Sequence, residues 1–164
     1  MDDPETRFTD LYDAHYRAVL GYALLRADRS AAEDVAGETF LIAWRRFADL
    51  PPEPLPWLLG VARNLLRKQR DSGIRADRLL AHLPTGDSPD VADQVAERET
   101  ALRALAAMAE ADAEALILTS WYGLAPREAA KIAGCAQGAF TVRLHRARRR
   151  LTEALRPRTL QEQS

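Results

Sequence analysis

Apolar residues recur along most of the chain at intervals of three and four, the period of amphipathic helices, with no strand-like alternation of useful length. Phe8, Leu11, Tyr12, Val19 and Tyr22 or Ala23 share one face and predict a helix over about 8–25. Ser30 with Glu33 three residues on has the form of a capping box, so a second helix is expected from there through Val35, Phe40, Ala43 and Trp44 to about Phe47. Pro51, Pro52, Pro54 and Pro56 then forbid a continuing helix and predict a stiff connector. A third helix is expected from near Pro56 to about Gln69, burying Leu58, Val61, Ala62, Leu65 and Leu66. Its opposite stripe of Gly60, Arg63, Asn64, Arg67 and Lys68 is small, amide and basic, with Trp57 at its N-terminal end.

Glycine, proline and aspartate interrupt the pattern over 72–95, which reads as an acidic linker with room for a transient helical turn. Helical periodicity resumes in four pieces, about 96–109, 112–121, 126–133 and 137–155, with Gly123 and Gly134 as breaks. The expected fold is therefore all-α, two small helical domains joined by a flexible linker. The first, 1–72, has three to four helices; the linker is 73–97; the second, 98–158, has four helices; and 159–164 is a tail.

The last helix carries the strongest signal. Phe140, Leu144, Ala147 and Leu151 follow one another at spacings of four, three and four, so they share a face and must pack on something. The arginines then point elsewhere: from Arg143 to Arg158 there are seven Arg against one Glu. Preceded by a short helix and a glycine break, this is the outline of a helix-turn-helix, whose second helix fits the major groove. Thr141, Val142, His145, Arg146 and Arg149 lie opposite the apolar face as candidate base readers, Arg146 foremost for bidentate contact with guanine. Arg143, Arg148 and Arg150 flank them as candidate phosphate contacts, and Arg127, just inside a helix that begins at Pro126, is another.

Charge sharpens this reading. The chain totals only −1, but its basic and acidic residues number 10 and 12 over 1–72, 3 and 5 over 73–98, and 10 and 7 over 99–164, so excess positive charge sits at the C-terminal end. A single cysteine, Cys135, allows no internal disulfide, and no His or Cys pairs stand at metal-ligand spacing, so neither a metal nor a cofactor is expected. No nucleophile and base stand at a readable catalytic spacing, which argues against an enzyme. No apolar run nears the roughly 20 residues of a bilayer span, and the acidic N-terminus is unlike a secretory signal, so a cytoplasmic protein is expected. A one-component regulator with an N-terminal sensor is the alternative, but the first half offers neither receiver-type carboxylates nor a ligand cavity.

Several runs together resemble the extracytoplasmic-function sigma factors of bacterial RNA polymerase. In the first half they are Ala32-Glu33-Asp34-Val35, Glu38-Thr39-Phe40-Leu41-Ile42-Ala43-Trp44 and Pro56-Trp57-Leu58-Leu59-Gly60-Val61-Ala62-Arg63-Asn64. In the second they are Glu128-Ala129-Ala130, Gly138 and Arg143-Leu144-His145-Arg146-Ala147-Arg148 with Leu151. The resemblance implies promoter-specific initiation without catalysis. It casts 1–72 as a sigma2-like domain that docks on the clamp helices of the largest subunit of core RNA polymerase and melts the minus-ten element. Region 98–158 becomes a sigma4-like domain that reads the minus-thirty-five element beside the polymerase flap. It further implies docking through Glu33, Asp34, Glu38 and Trp44, minus-ten contacts from Arg63, Asn64, Arg67 and Lys68, a base-capturing loop at 48–55, and an anti-sigma factor or other regulator acting in trans. The chain departs from the family pattern at Ala139, Phe140 and Thr141, and Ala125 replaces the usual Ser or Thr cap.

Overall fold

A computed structural model describes residues 3–68 and 89–156, with side chains of the second stretch from Ala96 onward. Every regular element among the described residues is a helix, as expected. Most of the linker and the whole tail lie outside them, as does the end expected for the third helix at Gln69.

Helix α1 spans Pro4–Leu24 and starts on a proline, whose missing amide hydrogen costs nothing in the first turn. Helix α2 spans Arg29–Arg45. Its start corrects the expected capping box: Asp28, not Ser30, is the cap, its carboxylate accepting the Ala31 amide at 2.8 Å. With the cap moved back, Glu33 is released and pairs instead with Arg29, at 3.0 Å. A 3-10 turn, Phe47–Asp49, takes up the first two positions of the loop expected at 48–55. Helix α3 spans Pro54–Arg67, two residues longer at its start than expected, because Pro54 and Pro56 both fall in the first turn, where no amide partner is needed.

Helices α1, α2 and α3 enclose Val19, Phe40, Leu58 and Leu59, all nearly inaccessible to water. Leu59 lay outside the predicted stripe, and Val61 and Leu65, placed in it, are half-exposed. The shift arises because α3 has two neighbours: α1 and α2 on one side, and a helix of the second half on the other.

That second half opens with α4, Pro89–Ala107, which begins seven residues before the expected start at 96. Helix α5, Glu110–Leu116, runs on into a π-helical turn, Ile117–Trp121, which ends at Gly123 with φ +68°. Helix α6, Pro126–Ala133, ends at Gly134, φ +71°. The Cys135 amide returns to the Ala130 carbonyl and that of Gly134 to Lys131, a Schellman closure that needs a left-handed residue at this point. Helix α7, Gln137–Ala154, follows after three residues and packs on α4, α5 and α6 through Phe140, Leu144 and Ala147.

Candidate nucleic-acid interface

Burial of one stripe of α7 fixes what its other faces present. Thr141, Val142, His145 and Arg149 are exposed together on the side away from Phe140 and Leu144, Val142 by 61%. The Thr141 hydroxyl donates to the Gln137 carbonyl at 2.9 Å. Arg148 and Arg150 are exposed, Arg143 half-buried, and Arg127 exposed on the first turn of α6; none of them is in an ion pair among the described residues.

Arg146 differs. Its Nε and one terminal nitrogen donate to both oxygens of Asp112, at 3.0 and 3.1 Å. Asp112 lies in the first turn of α5, with a side chain only 3% exposed. The fork-to-fork pair therefore fastens the middle of α7 to α5 and engages the Nε edge of the guanidinium, while the side chain remains 54% exposed. Sequence reasoning missed Asp112, although a carboxylate that close to an apolar run was the available signal.

The basic face of α3 is also divided. Asn64, Arg67 and Lys68 are exposed. Asn64 and Arg67 line a cleft of about 490 Å³ between α3 and α6, whose walls include Trp57 on their side and Glu128, Lys131 and Gly134 on the other. Arg63 lines the same cleft but is mostly buried, and its Nε donates to the Glu114 carboxylate at 2.8 Å.

Glu114 is the centre of a buried network. Besides Arg63, it accepts the Tyr22 hydroxyl at 2.8 Å and faces the Arg26 guanidinium at 3.1 Å, while Arg26 also reaches Glu110 at 3.3 Å. Burial acts to raise the Glu114 carboxyl, but the charge of Arg26 and the hydrogen bonds and charge of Arg63 outweigh it and hold it below its ordinary value. Burial foremost, then the Glu114 charge, pushes the Tyr22 phenol far upward, so it remains a donor. Beside this network the Tyr122 hydroxyl donates to the Ala18 carbonyl at 3.0 Å, and the rings of Tyr22 and Tyr122 meet edge to face. No pattern in the sequence joined these residues, which lie up to 104 positions apart.

On the opposite side of the first three helices, Glu33, Asp34, Glu38, Leu41 and Trp44 are all exposed along α2, Leu41 by 48% and Trp44 by 43%. Trp44 packs against Phe8 at 5.1 Å and Tyr12 against Phe40 at 5.0 Å, so aromatic rings from α1 and α2 support the patch from below. Three acidic groups toward the start of α2 are thus followed by two apolar ones toward its end.

Comparison with known proteins matches the two halves separately. Residues 11–73 match the family Sigma-70 region 2, and residues 98–151 match Sigma-70, region 4. The probable RNA polymerase sigma factor RfaY of Xanthomonas campestris pv. campestris is 38% identical over 74% of this chain, although the match spans only 33% of that protein's length. The ECF RNA polymerase sigma factor SigL of Mycobacterium tuberculosis is 33% identical over 86% of this chain and 84% of its own. Among solved structures, the sigma factor RpoE in complex with the anti-sigma factor NepR from Bartonella quintana superposes with a TM-score of 0.67 at 25% identity, covering 91% of this chain and 96% of that one.

Proposed function

The chain belongs to the extracytoplasmic-function family of RNA polymerase sigma factors, and from that premise we propose how its surfaces divide the work of promoter-specific initiation. Residues 1–72 form the domain that docks on core polymerase and melts the minus-ten element; 98–158 form the domain that reads the minus-thirty-five element. The acidic and apolar patch of Asp34, Glu38 and Trp44, joined by Leu41, takes the clamp helices of the largest subunit, with Glu33 at its edge. Asn64, Arg67 and Lys68 take the minus-ten strand, with Arg63 once it is released.

On α7, Thr141, Val142, His145 and Arg149 read bases in the major groove, while Arg127, Arg143, Arg148 and Arg150 hold phosphates. Arg146 acts by positioning the helix through Asp112. The observation that carries this reading is the exposed, unpaired arginine face of α7 opposite a fully buried Phe140, on a helix held by a Schellman turn. No chemistry is assigned to the chain itself; polymerase supplies it. A partner acting in trans, of the anti-sigma kind that the similar RpoE structure holds, fits the same assignment.

Run-off transcription with purified core polymerase tests the proposal. The full chain is expected to bind core and direct initiation from a promoter selected from a random library. If it binds duplex DNA alone yet neither binds core nor directs initiation, the assignment of the first domain is wrong.

A further inference from the structure

The cleft between α3 and α6 brings residues of both domains to one cavity. Its volume of about 490 Å³ falls in the range of small-molecule sites, roughly 300–1,000 Å³. Along its first wall Trp57, Gly60, Asn64 and Arg67 follow one another at spacings of three, four and three, which makes them one stripe of α3. At about 1.5 Å per residue the stripe carries an indole and a guanidinium roughly 15 Å apart, with an amide between them. A Cβ on Gly60 would meet nothing within 4 Å, so packing does not require glycine there, and the missing side chain leaves this wall open.

Three cations line the same cavity. Arg63 is held from behind: its Nε donates to Glu114 at 2.8 Å, while its Nη1 turns toward the second wall, 3.9 Å from where a Cβ on Gly134 would stand. That nitrogen has no hydrogen-bond partner among the described residues. Arg67 and Lys131 are exposed and in no ion pair among the described residues. A guanidinium already fixed by a carboxylate loses little side-chain freedom when it takes a ligand. The lining is not uniformly basic, however. Glu53 stands one turn before Trp57, and Glu128 three residues before Lys131. Two carboxylates oppose a polyanionic strand laid along the cleft and favour a ligand that is charged at one end only.

We propose that the cleft binds a free nucleoside diphosphate. The base stacks on Trp57, Asn64 bonds the sugar, and the diphosphate is taken by Arg67, Lys131 and the outer nitrogen of Arg63. Stacking on an indole tolerates any base, so the ring and the diphosphate define the ligand class rather than one base. Lys131 belongs to the second domain, so this ligand needs both walls, whereas a DNA strand on α3 needs only one. The consequence for initiation rests on the reading above: Asn64 and Arg67 are also assigned to the minus-ten strand, so a bound nucleotide and that strand exclude each other.

Calorimetric titration of the full chain with ADP, in the absence of DNA and polymerase, tests the site. ADP should bind one to one, with GDP within about threefold of it. Adenosine and inorganic pyrophosphate, each lacking one half of the ligand, should bind at least about tenfold more weakly. Gly60→Leu fills the open wall and should abolish binding with helicity unchanged. Trp57→Leu should bring ADP down to the affinity of pyrophosphate. Lys131→Gln should weaken ADP at least about tenfold and leave adenosine unchanged. Arg17→Gln removes an equal charge from an exposed position outside the cleft and should leave ADP binding as it was. The proposal is overturned if neither ADP nor GDP saturates the protein by about 5 mM, if pyrophosphate binds as tightly as ADP, or if Arg17→Gln matches Lys131→Gln. Should Gly60→Leu or Trp57→Leu lose helicity, the exposed Lys131→Gln decides alone, and an unchanged ADP affinity overturns the proposal equally. The titration involves neither promoter nor polymerase, so its failure leaves the family reading standing, and failure of run-off transcription leaves the nucleotide site standing.

Discussion

Removing Arg148 and Arg150 together, as Arg148→Ala with Arg150→Ala, tests the division of α7 into readers and clamps through a quantity that stability does not move. Both side chains are exposed and outside any ion pair among the described residues, so neither contributes to packing. If each neutralises one phosphate, each accounts for about 0.9 of the slope of log affinity against log salt on duplex DNA. The double variant should then bind with a slope shallower by about 1.8. Between 50 and 200 mM salt, a fourfold range, the parent should therefore lose about twelvefold more affinity than the variant. Fluorescence anisotropy with a labelled duplex, titrated at several salt concentrations, measures this directly. Because phosphate contacts carry no sequence information, the loss should be equal on the selected promoter and on a scrambled duplex. An unchanged slope, or a loss confined to the promoter, would refute the assignment of these arginines as clamps.

Asp112 is buried and beyond the reach of DNA, so Asp112→Asn and Arg146→Ala should lower the melting temperature and promoter discrimination alike, with the double variant no worse than either; additive losses in a thermodynamic cycle would return Arg146 to the base-reading face. Phe140 is fully buried at the joint of α7 with its neighbours, and Phe140→Ala should cost about 3–5 kcal/mol. That loss should lower the second domain's melting temperature by roughly 12 °C or more, and a smaller change by calorimetry would mean the site collapses around the gap. The joint between the two domains around Glu114 should also open in acid. Glu114 is held below its ordinary value of about 4.5, so its contribution is complete above that pH and is lost as pH falls through the depressed folded value, when protonation strips Arg26, Arg63 and Tyr22 of their common anion. The interdomain distance, read between spin labels at Asp13→Cys and Glu153→Cys with Cys135→Ser, should be constant from neutral pH down to about 4.5 and lengthen only as pH falls through the depressed value; a distance that lengthens above about 4.5, or one that stays constant until the helices themselves melt in acid, would sink the idea.

The helices were legible because their information is local. Period, proline and glycine placed α1 to α3 and α5 to α7 within a few residues, and the apolar stripe of α7 is buried as spaced. What failed was also local in kind. Ser30 and Glu33 satisfied the capping pattern, yet Asp28 lay two residues earlier with an equally good acceptor, and a pattern cannot say which of two caps the chain will use. Leu59 was left out of the core because a single-stripe reading assumes one neighbour, whereas α3 has neighbours on both sides. Arg146 shows the deeper limit. Its spacing from Val142 and Arg149 is that of a reader, and only the fold reveals Asp112, 34 residues earlier, against it. Glu114 was legible only as an oddity, a carboxylate amid Ala113, Ala115, Leu116, Ile117 and Leu118. Its partners come from the other domain, at sequence separations that no periodicity spans.

The chemistry of the joint sets how strongly the two domains are held together. Truncating one member of a buried ion network costs about 3–5 kcal/mol, because the partners are left charged and dry. Opening the joint is different: Glu114, Arg26 and Arg63 all return to water, and the hydration they regain offsets most of the attraction they lose. The network therefore makes the closed geometry specific more than it makes it stable. Reversing a population from 99:1 closed to 99:1 open takes about 5.5 kcal/mol, which a partner specific for the open form supplies only at about 10⁴ times its Kd. A micromolar partner would have to be present at about 10 mM, so one acting at about 10 μM must hold the open form with roughly nanomolar affinity. The patch of Asp34, Glu38, Leu41 and Trp44 takes no part in the joint and is exposed, so a partner that used it alone would bind either arrangement equally and shift neither. Arg63 is different: Glu114 already holds its Nε, so a ligand that takes the whole guanidinium must first displace that carboxylate, and its affinity is coupled to the joint.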